Sequence, residues 1–187
     1  LPLLKQAFGM LVDTLREDDR VSIVVYAGAA GLVLPPTSGA DKPRIMEALN
    51  TLRAGGSTNG GAGIQLAYSL AREQFVKGGV NRVMLATDGD FNVGASSKGE
   101  LVRMVTDEAK SGVFLTVMGF GRGNLQDATM EAISGKGNGT YAYIDSAREA
   151  RKVLVEQVGS TLMTIAKDVK IQVEFNPTHV AGYRLVG

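Results

Sequence analysis

The amino-acid sequence predicts an α/β fold of three layers, in which helices cover both faces of a mostly parallel, Rossmann-like sheet. Short apolar runs alternate with helical patterns along most of the 187 residues, as is typical of parallel sheets between helices. Residues 80–87 and 113–118 are mostly apolar, which indicates strands that are buried on both faces. Two earlier runs, residues 21–26 and 32–34, flank a glycine-containing turn and predict one antiparallel edge strand.

The remaining elements follow from apolar spacing and from their end signals. Asp41 is an N-cap type of residue ahead of a helix that we expect to end near residue 52. Pro35 and Pro36 should end the second strand, because proline cannot donate a hydrogen bond to a ladder. Ser146 and Glu149 form a capping-box pattern that opens a last helix. That last helix covers residues 147–163. The other expected helices cover residues 2–16, 64–75, 101–109 and 125–133, and the other expected strand covers residues 140–144. Gly112 should end the helix over 101–109.

The character of the chain changes after residue 165. Val169, Ile171, Val173 and Phe175 alternate with polar residues, which predicts a half-exposed strand. We therefore expect one domain over residues 1–165. Residues 166–187 then either begin a C-terminal domain or add an edge strand. The chain begins inside a helical pattern, so we also expect it to be a fragment of a longer protein.

Composition argues against several classes of function. A formal net charge of +1 gives no field that would attract nucleic acid. Without cysteine there are no disulfides or thiolate metal sites, and His179 is the only histidine. No apolar run approaches the roughly 20 residues of a membrane-spanning helix. The sequence leaves the oligomeric state open.

Two loops carry the oxygen atoms that could hold a divalent cation. The first is the glycine-rich loop over residues 55–61, with the hydroxyls of Ser57 and Thr58. The second is the Thr-Asp-Gly-Asp turn after the strand at 80–87, with the carboxylates of Asp88 and Asp90. Ligands of open α/β sheets bind outside the carboxyl ends of the strands, and Mg²⁺ prefers such oxygen ligands. An aspartate in a turn can instead accept hydrogen bonds from its own backbone, so both readings stay open for these carboxylates.

These loops resemble those of a known family. Residues 56–64, Gly-Ser-Thr-Asn-Gly-Gly-Ala-Gly-Ile, and residues 85–89, Leu-Ala-Thr-Asp-Gly, are similar to the second and third metal loops of von Willebrand factor type A domains. The resemblance covers nearly all of residues 1–165. It implies that Thr58 and Asp88 are metal ligands of a metal-ion-dependent adhesion site, with Ser57 and Asp90 nearby. Residues 87–94 are similar to a bacterial cell-envelope subgroup that carries a further C-terminal domain of unknown function.

One part of the family pattern is absent. No Asp-x-Ser-x-Ser loop occurs in residues 1–187, and the first strand, which bears that loop in the family, is missing with it. We therefore expect residues 1–187 alone not to form a complete metal site. In the longer protein, the resemblance implies Mg²⁺, or Mn²⁺ or Ca²⁺, whose last ligand is an Asp or Glu of a protein partner. It also implies adhesion or recognition without catalysis, in the periplasm or at the cell surface.

Two other functions compete with this interpretation. The domain could be a metal-free scaffold that links its neighbours. Asp88 and Asp90 also resemble the paired aspartates of haloacid-dehalogenase-type phosphatases, which use Mg²⁺ and a carboxylate nucleophile. The phosphatase interpretation is weaker, because the later lysine and acidic pair of that family have no convincing match in this chain.

Overall fold

The computed structural model describes residues 1–26, 31–53, 55, 60–87, 98–121, 127–156, 174–176, 178–180 and 182–184. Helices and strands alternate as the sequence predicts, which confirms the α/β class. The elements are α1 Pro2–Thr14, β1 Arg20–Val25, β2 Gly31–Ser38, α2 Lys42–Thr51, α3 Gly60–Glu73, β3 Asn81–Thr87, α4 Lys98–Ser111, β4 Val113–Phe120, α5 Asp127–Lys136, β5 Tyr141–Ile144 and α6 Ala147–Arg151, the last continued by a π-helical turn, Lys152–Glu156.

The described strands form two sheets. β3, β4 and β5 are parallel neighbours in that order, with all eight residues of β4 buried. β1 and β2 form a separate antiparallel pair. Within the described residues no strand is hydrogen-bonded between β1 and β3. The mostly parallel sheet and the antiparallel strand are thus confirmed. The described strands, however, do not form one continuous sheet, because β1 and β3 are not joined.

Helices cover both faces of the sheets, which confirms the three layers. On one face α3, α4 and α5 bury Ile64, Leu101 and Met130 against alternate residues of β3 and β4, including Val83 and Leu115. On the other face α1 and α6 pack against the intervening residues of the same strands. α1 also reaches the antiparallel pair, and α3 contacts strands of both sheets. These two helices therefore hold the two sheets together.

The end signals of several helices are confirmed. The Asp41 carboxylate accepts a hydrogen bond from the backbone N–H of Arg44 at 3.3 Å. The Ser146 hydroxyl accepts one from the backbone N–H of Glu149 at 3.3 Å. Gly112 ends α4 with a φ of 94°, a conformation that favours glycine.

Two expectations need correction. The predicted stop at Pro35 and Pro36 is wrong, because β2 continues through both prolines to Ser38. The hydrogen-bond ladder between β1 and β2 is irregular at the two prolines, and an edge strand tolerates a missing donor. Phe175 lies in no strand, although the alternating pattern predicted one. The rest of that pattern, residues 167–173, lies outside the described residues, as does the end predicted for the last helix.

None of the helices in the described part of the chain has the length and apolar character needed to cross a bilayer.

Candidate functional site

The carboxyl ends of the three parallel strands meet at one edge of the sheet, which we call the carboxyl rim. The register aligns Thr87 of β3 with Gly119 of β4, and Gly119 with Tyr143 of β5. These residues form a row across the end of the sheet. Loops that follow such strand ends carry the binding sites of open α/β sheets.

The helix that follows the glycine-rich loop begins at the same rim. α3 runs antiparallel to β3, since a short turn joins the end of α3 to the start of β3 at the opposite edge. Asn81, the first residue of β3, holds that turn through hydrogen bonds with the backbone of Val76. Gly60, the first residue of α3, is therefore at the carboxyl rim.

Tyr26 links these elements directly. Its hydroxyl donates a 2.6 Å hydrogen bond to the carbonyl of Ala86, next to the end of β3. A Cβ placed on Gly63, in the first turn of α3, would lie 2.5 Å from the Cβ of Tyr26. The absence of a side chain at Gly63 thus lets α3 approach Tyr26 closely. One side chain therefore contacts both elements next to the predicted metal loops.

The predicted metal ligands Thr58 and Asp88, and their neighbours Ser57 and Asp90, all lie outside the described residues. Their coordination stays a prediction. The flanking residues that are described, Gly60 on α3 and Thr87 on β3, belong to elements that meet at the carboxyl rim.

The described residues do not form a metal centre of their own. They contain no group of three histidine, aspartate or glutamate side chains that could hold an ion. Gly60 and Gly61 are both buried. Gly61 lines a small cleft between α3 and α4 together with Gln65, Glu100, Leu101 and Met104.

The described residues with shifted pKa values lie in the interior and not at the rim. Burial raises the pKa of the Tyr68 hydroxyl in α3. Burial also lowers the pKa of Arg82, which donates a 2.5 Å hydrogen bond to the Thr116 hydroxyl and lies 5.9 Å from the ring centre of Phe114. Both groups sit in side-chain packing, which gives them a structural role.

Two rim residues were missed by the sequence analysis. The sequence pattern places Tyr26 in one predicted strand and Tyr143 in another, and indicates no role for either side chain. The alternation of Tyr141 and Tyr143 was a usable signal, because residues two apart in a strand share a face. Their position relative to the rim, however, depends on the register with β4, which a local pattern does not contain.

Comparison with known proteins agrees with this fold. The sequence model of the von Willebrand factor type A domain family matches residues 1–157. The family model for the C-terminal part of the uncharacterized protein YfbK matches residues 160–187. YfbK of Escherichia coli K12 is 49% identical over the whole chain, and the uncharacterized protein sll0103 of Synechocystis is 31% identical over 80% of it. The chain spans 32% and 35% of the lengths of these two relatives.

Several solved structures share the fold. A von Willebrand factor type A protein from Catenulispora acidiphila superposes with a TM-score of 0.70 at 18% identity, covering 86% of this chain and 38% of that one. An aerotolerance-related membrane protein from Bacteroides fragilis gives 0.64 at 24% identity, covering 85% and 88%. Proximal thread matrix protein 1 of the mussel byssus, with a zinc-occupied MIDAS motif, gives 0.63 at 22% identity, covering 84% and 39%. The match over residues 1–157 and the identity with YfbK show that this chain belongs to the von Willebrand factor type A domain family, and residues 160–187 match the YfbK C-terminal region.

Proposed function

We propose that this chain is part of a protein-recognition module that binds a divalent cation at its carboxyl rim. Thr58 and Asp88 contribute a hydroxyl and a carboxylate to the ion in the longer natural protein. An Asp or Glu of the partner completes the coordination. The ion is Mg²⁺ or a similar cation such as Mn²⁺ or Ca²⁺.

The proposal rests on one observation: Tyr26 contacts both α3 and β3 at the carboxyl rim. Gly63, five positions after Thr58, packs against this side chain, and Ala86, two positions before Asp88, accepts its hydrogen bond. Two loops that leave adjacent elements at one rim can bring a hydroxyl and a carboxylate to the same ion. This supports a shared site more directly than the two motifs do in the sequence alone.

The chemistry of this ligand set favours binding over turnover. One carboxylate and one neutral hydroxyl leave one of the two positive charges of a divalent ion uncompensated. Such an ion attracts a carboxylate from outside, since hard cations prefer oxygen ligands. Two ligands are too few for a complete site, so residues outside 1–187 contribute further oxygens in the longer protein.

The experiment uses the full-length natural protein, the variants Thr58→Ala and Asp88→Ala, and the control Asp18→Ala. Asp18 is an exposed aspartate just before β1, whereas Tyr26 follows the other end of that strand. Melting temperature is measured in EDTA and in increasing MgCl₂ or MnCl₂. A ligand at 100 times its dissociation constant stabilises the folded state by about 2.7 kcal/mol, so the dependence of the shift on cation concentration gives the metal affinity.

We expect the cation to raise the melting temperature of the natural protein and of Asp18→Ala alike. Asp88→Ala should weaken the metal affinity by about 100-fold or more, and Thr58→Ala by about 10-fold, in line with the usual sensitivity of metal sites. A cation-dependent shift that survives both substitutions would reject this site, and the absence of any shift in the natural protein would favour the metal-free scaffold. Phosphatase activity that requires Asp88 and Asp90 would support the enzyme alternative instead.

We also propose that the module acts at the bacterial cell envelope, on the similarity of residues 87–94 to the envelope subgroup of the family. Fractionation of the native bacterium, followed by detection with an antibody against this domain, tests the location. Detection in the cytosol alone would contradict it.

A further inference from the structure

Tyr143 is a partly exposed aromatic residue at the carboxyl rim. Its side chain is 39% exposed, although its neighbour in β5, Ile144, is fully buried. Its backbone is in register with Gly119 of β4, but its hydroxyl donates a hydrogen bond to the carbonyl of Gly121. The side chain therefore extends along the strand direction, past the end of β4. The hydrogen bond at its tip fixes the ring and leaves the ring itself open to solvent.

Gly121 provides open backbone beside this ring. Its φ of 107° is a conformation that favours glycine, and among the described residues nothing lies within 4 Å of the position where a Cβ would be. Its N–H is held by the carbonyl of Ile144 at 3.2 Å. Tyr143 and Gly121 therefore form a fixed surface of one aromatic ring and one bare peptide, which we call the Tyr143 platform.

The backbone of the platform lies at a defined distance from the end of β3, after which the predicted metal loop begins in the sequence. Tyr143 pairs with Gly119, which pairs with Thr87, so two strand spacings separate Tyr143 from Thr87. Adjacent strands lie about 4.8 Å apart, which gives a separation of roughly 10 Å. Asp88 directly follows Thr87 in the sequence. An extended peptide advances about 3.3 Å per residue, so roughly three residues cover this distance.

We propose that the Tyr143 platform binds an apolar side chain of the partner, about three residues from the carboxylate that completes the metal site. The inference rests on the proposed function and specifies the partner: an extended acidic segment with an aromatic or large aliphatic residue at that spacing. A tyrosine whose hydroxyl is already bonded loses little freedom on binding, and such residues often contribute most of the affinity of an interface. Tyr143 is then a specificity-determining residue of the rim.

The test uses displayed seven-residue peptides with one fixed aspartate, selected on the full-length natural protein in MgCl₂ and eluted with EDTA. We expect enrichment of aromatic or large aliphatic residues about three positions from the aspartate. The affinity of a selected peptide is then measured by fluorescence anisotropy. Tyr143→Ala should weaken it about 10-fold, the effect of losing an important interface contact. Tyr143→Phe keeps the ring and should retain the preference.

Phe75→Ala is the matched control. Phe75 is 44% exposed, close to the exposure of Tyr143, but it follows α3 at the edge opposite the carboxyl rim. This control should bind the selected peptide as the natural protein does. Replacing the apolar residue of the peptide by glycine should weaken binding to the natural protein about 10-fold. That measurement needs no protein variant, so the proposal stays testable if Tyr143→Ala does not fold.

The outcomes separate the two proposals. A selection without any Mg²⁺-dependent acidic peptide would contradict the proposed function, and this inference with it. Mg²⁺-dependent peptides that show no apolar preference would reject the platform and keep the metal-dependent function. The same conclusion follows if the preference persists in Tyr143→Ala or if glycine in the peptide costs no affinity.

Discussion

The two rims of the parallel sheet differ in how tightly they are built. At the amino rim, where β3, β4 and β5 begin, the backbone is closely packed: a Cβ on Gly139 would lie 1.6 Å from the carbonyl oxygen of Leu115. The turn before β3 is held at the same rim by the side chain of Asn81. At the carboxyl rim, Gly121 has open space around it and the ring of Tyr143 is exposed.

This difference separates stability from recognition. Loops that bind are placed on a scaffold that other parts of the fold stabilise. Substitutions at the amino rim should therefore lower the free energy of unfolding and leave recognition unchanged in the molecules that fold. Replacing the proposed metal ligand Asp88 by alanine should instead weaken recognition and leave the free energy of unfolding in EDTA unchanged.

The largest effect is expected from Gly139→Ala at the amino rim. The added methyl group would overlap a backbone oxygen of β4, which cannot move without disturbing the central strand. We expect a loss of more than about 4 kcal/mol in the free energy of unfolding, in the range of severe core disruptions. Urea unfolding followed by circular dichroism measures it.

Gly135→Ala provides the control for this substitution. Gly135 lies near the end of α5, and nothing is within 4 Å of its added Cβ. Alanine favours a helix over glycine by up to about 1 kcal/mol, so this variant should be equally stable or more stable. Similar losses in both variants would mean that the backbone contact at Gly139 does not determine the stability of the amino rim.

A smaller loss is expected from Asn81→Ala. Asn81 is buried, accepts a 2.8 Å hydrogen bond from the N–H of Val76 and donates a 3.0 Å hydrogen bond to its carbonyl. Removing the amide leaves both backbone groups without this partner, which should cost about 2–3 kcal/mol. Asn81→Asp keeps the acceptor but places a carboxylate oxygen against the carbonyl of Val76, so its loss in urea unfolding should be at least as large. If Asn81→Ala costs less than about 0.5 kcal/mol, the turn is stabilised by other contacts.

Much of the fold could be predicted from local sequence patterns. The helices follow from apolar spacing, and Gly112 and Ser146 end and begin helices where their chemistry requires. The error at Pro35 and Pro36 has a tertiary cause. Proline stops a strand only where its missing N–H would have had a partner, and β2 has a partner on one side only, β1, among the described strands.

The candidate site could be predicted less completely. The loop residues Thr58 and Asp88 were found because their chemistry and order match a family, and they remain predictions. Tyr26 and Tyr143 were missed, because the role of each depends on contacts with residues 60 and 22 positions away. Helical and strand periods describe one segment at a time, so they identify the elements of the rim but not the side chains that connect those elements.

The smallest expected effect concerns Tyr68, in the core beneath both rims. Its side chain is fully buried in α3, and its hydroxyl has no hydrogen-bond partner in the described part of the chain. A buried hydroxyl without a partner lowers stability, so Tyr68→Phe should raise the free energy of unfolding by about 1 kcal/mol at neutral pH. The pH dependence gives a more specific test than this difference alone.

Burial raises the pKa of the Tyr68 hydroxyl, because the charged phenolate loses its solvation in the core. In the unfolded chain this phenol ionises near its ordinary pKa of about 10, so at higher pH the unfolded state binds fewer protons than the folded state. The stability of the natural protein should therefore fall as pH rises above about 10, more steeply than that of Tyr68→Phe. Urea unfolding between about pH 8 and pH 11 measures the difference, in which the effects of the other tyrosines cancel. Parallel curves for the two proteins would mean that the Tyr68 hydroxyl ionises as easily in the folded core as in the unfolded chain, and that the core beneath the rims admits water at this position.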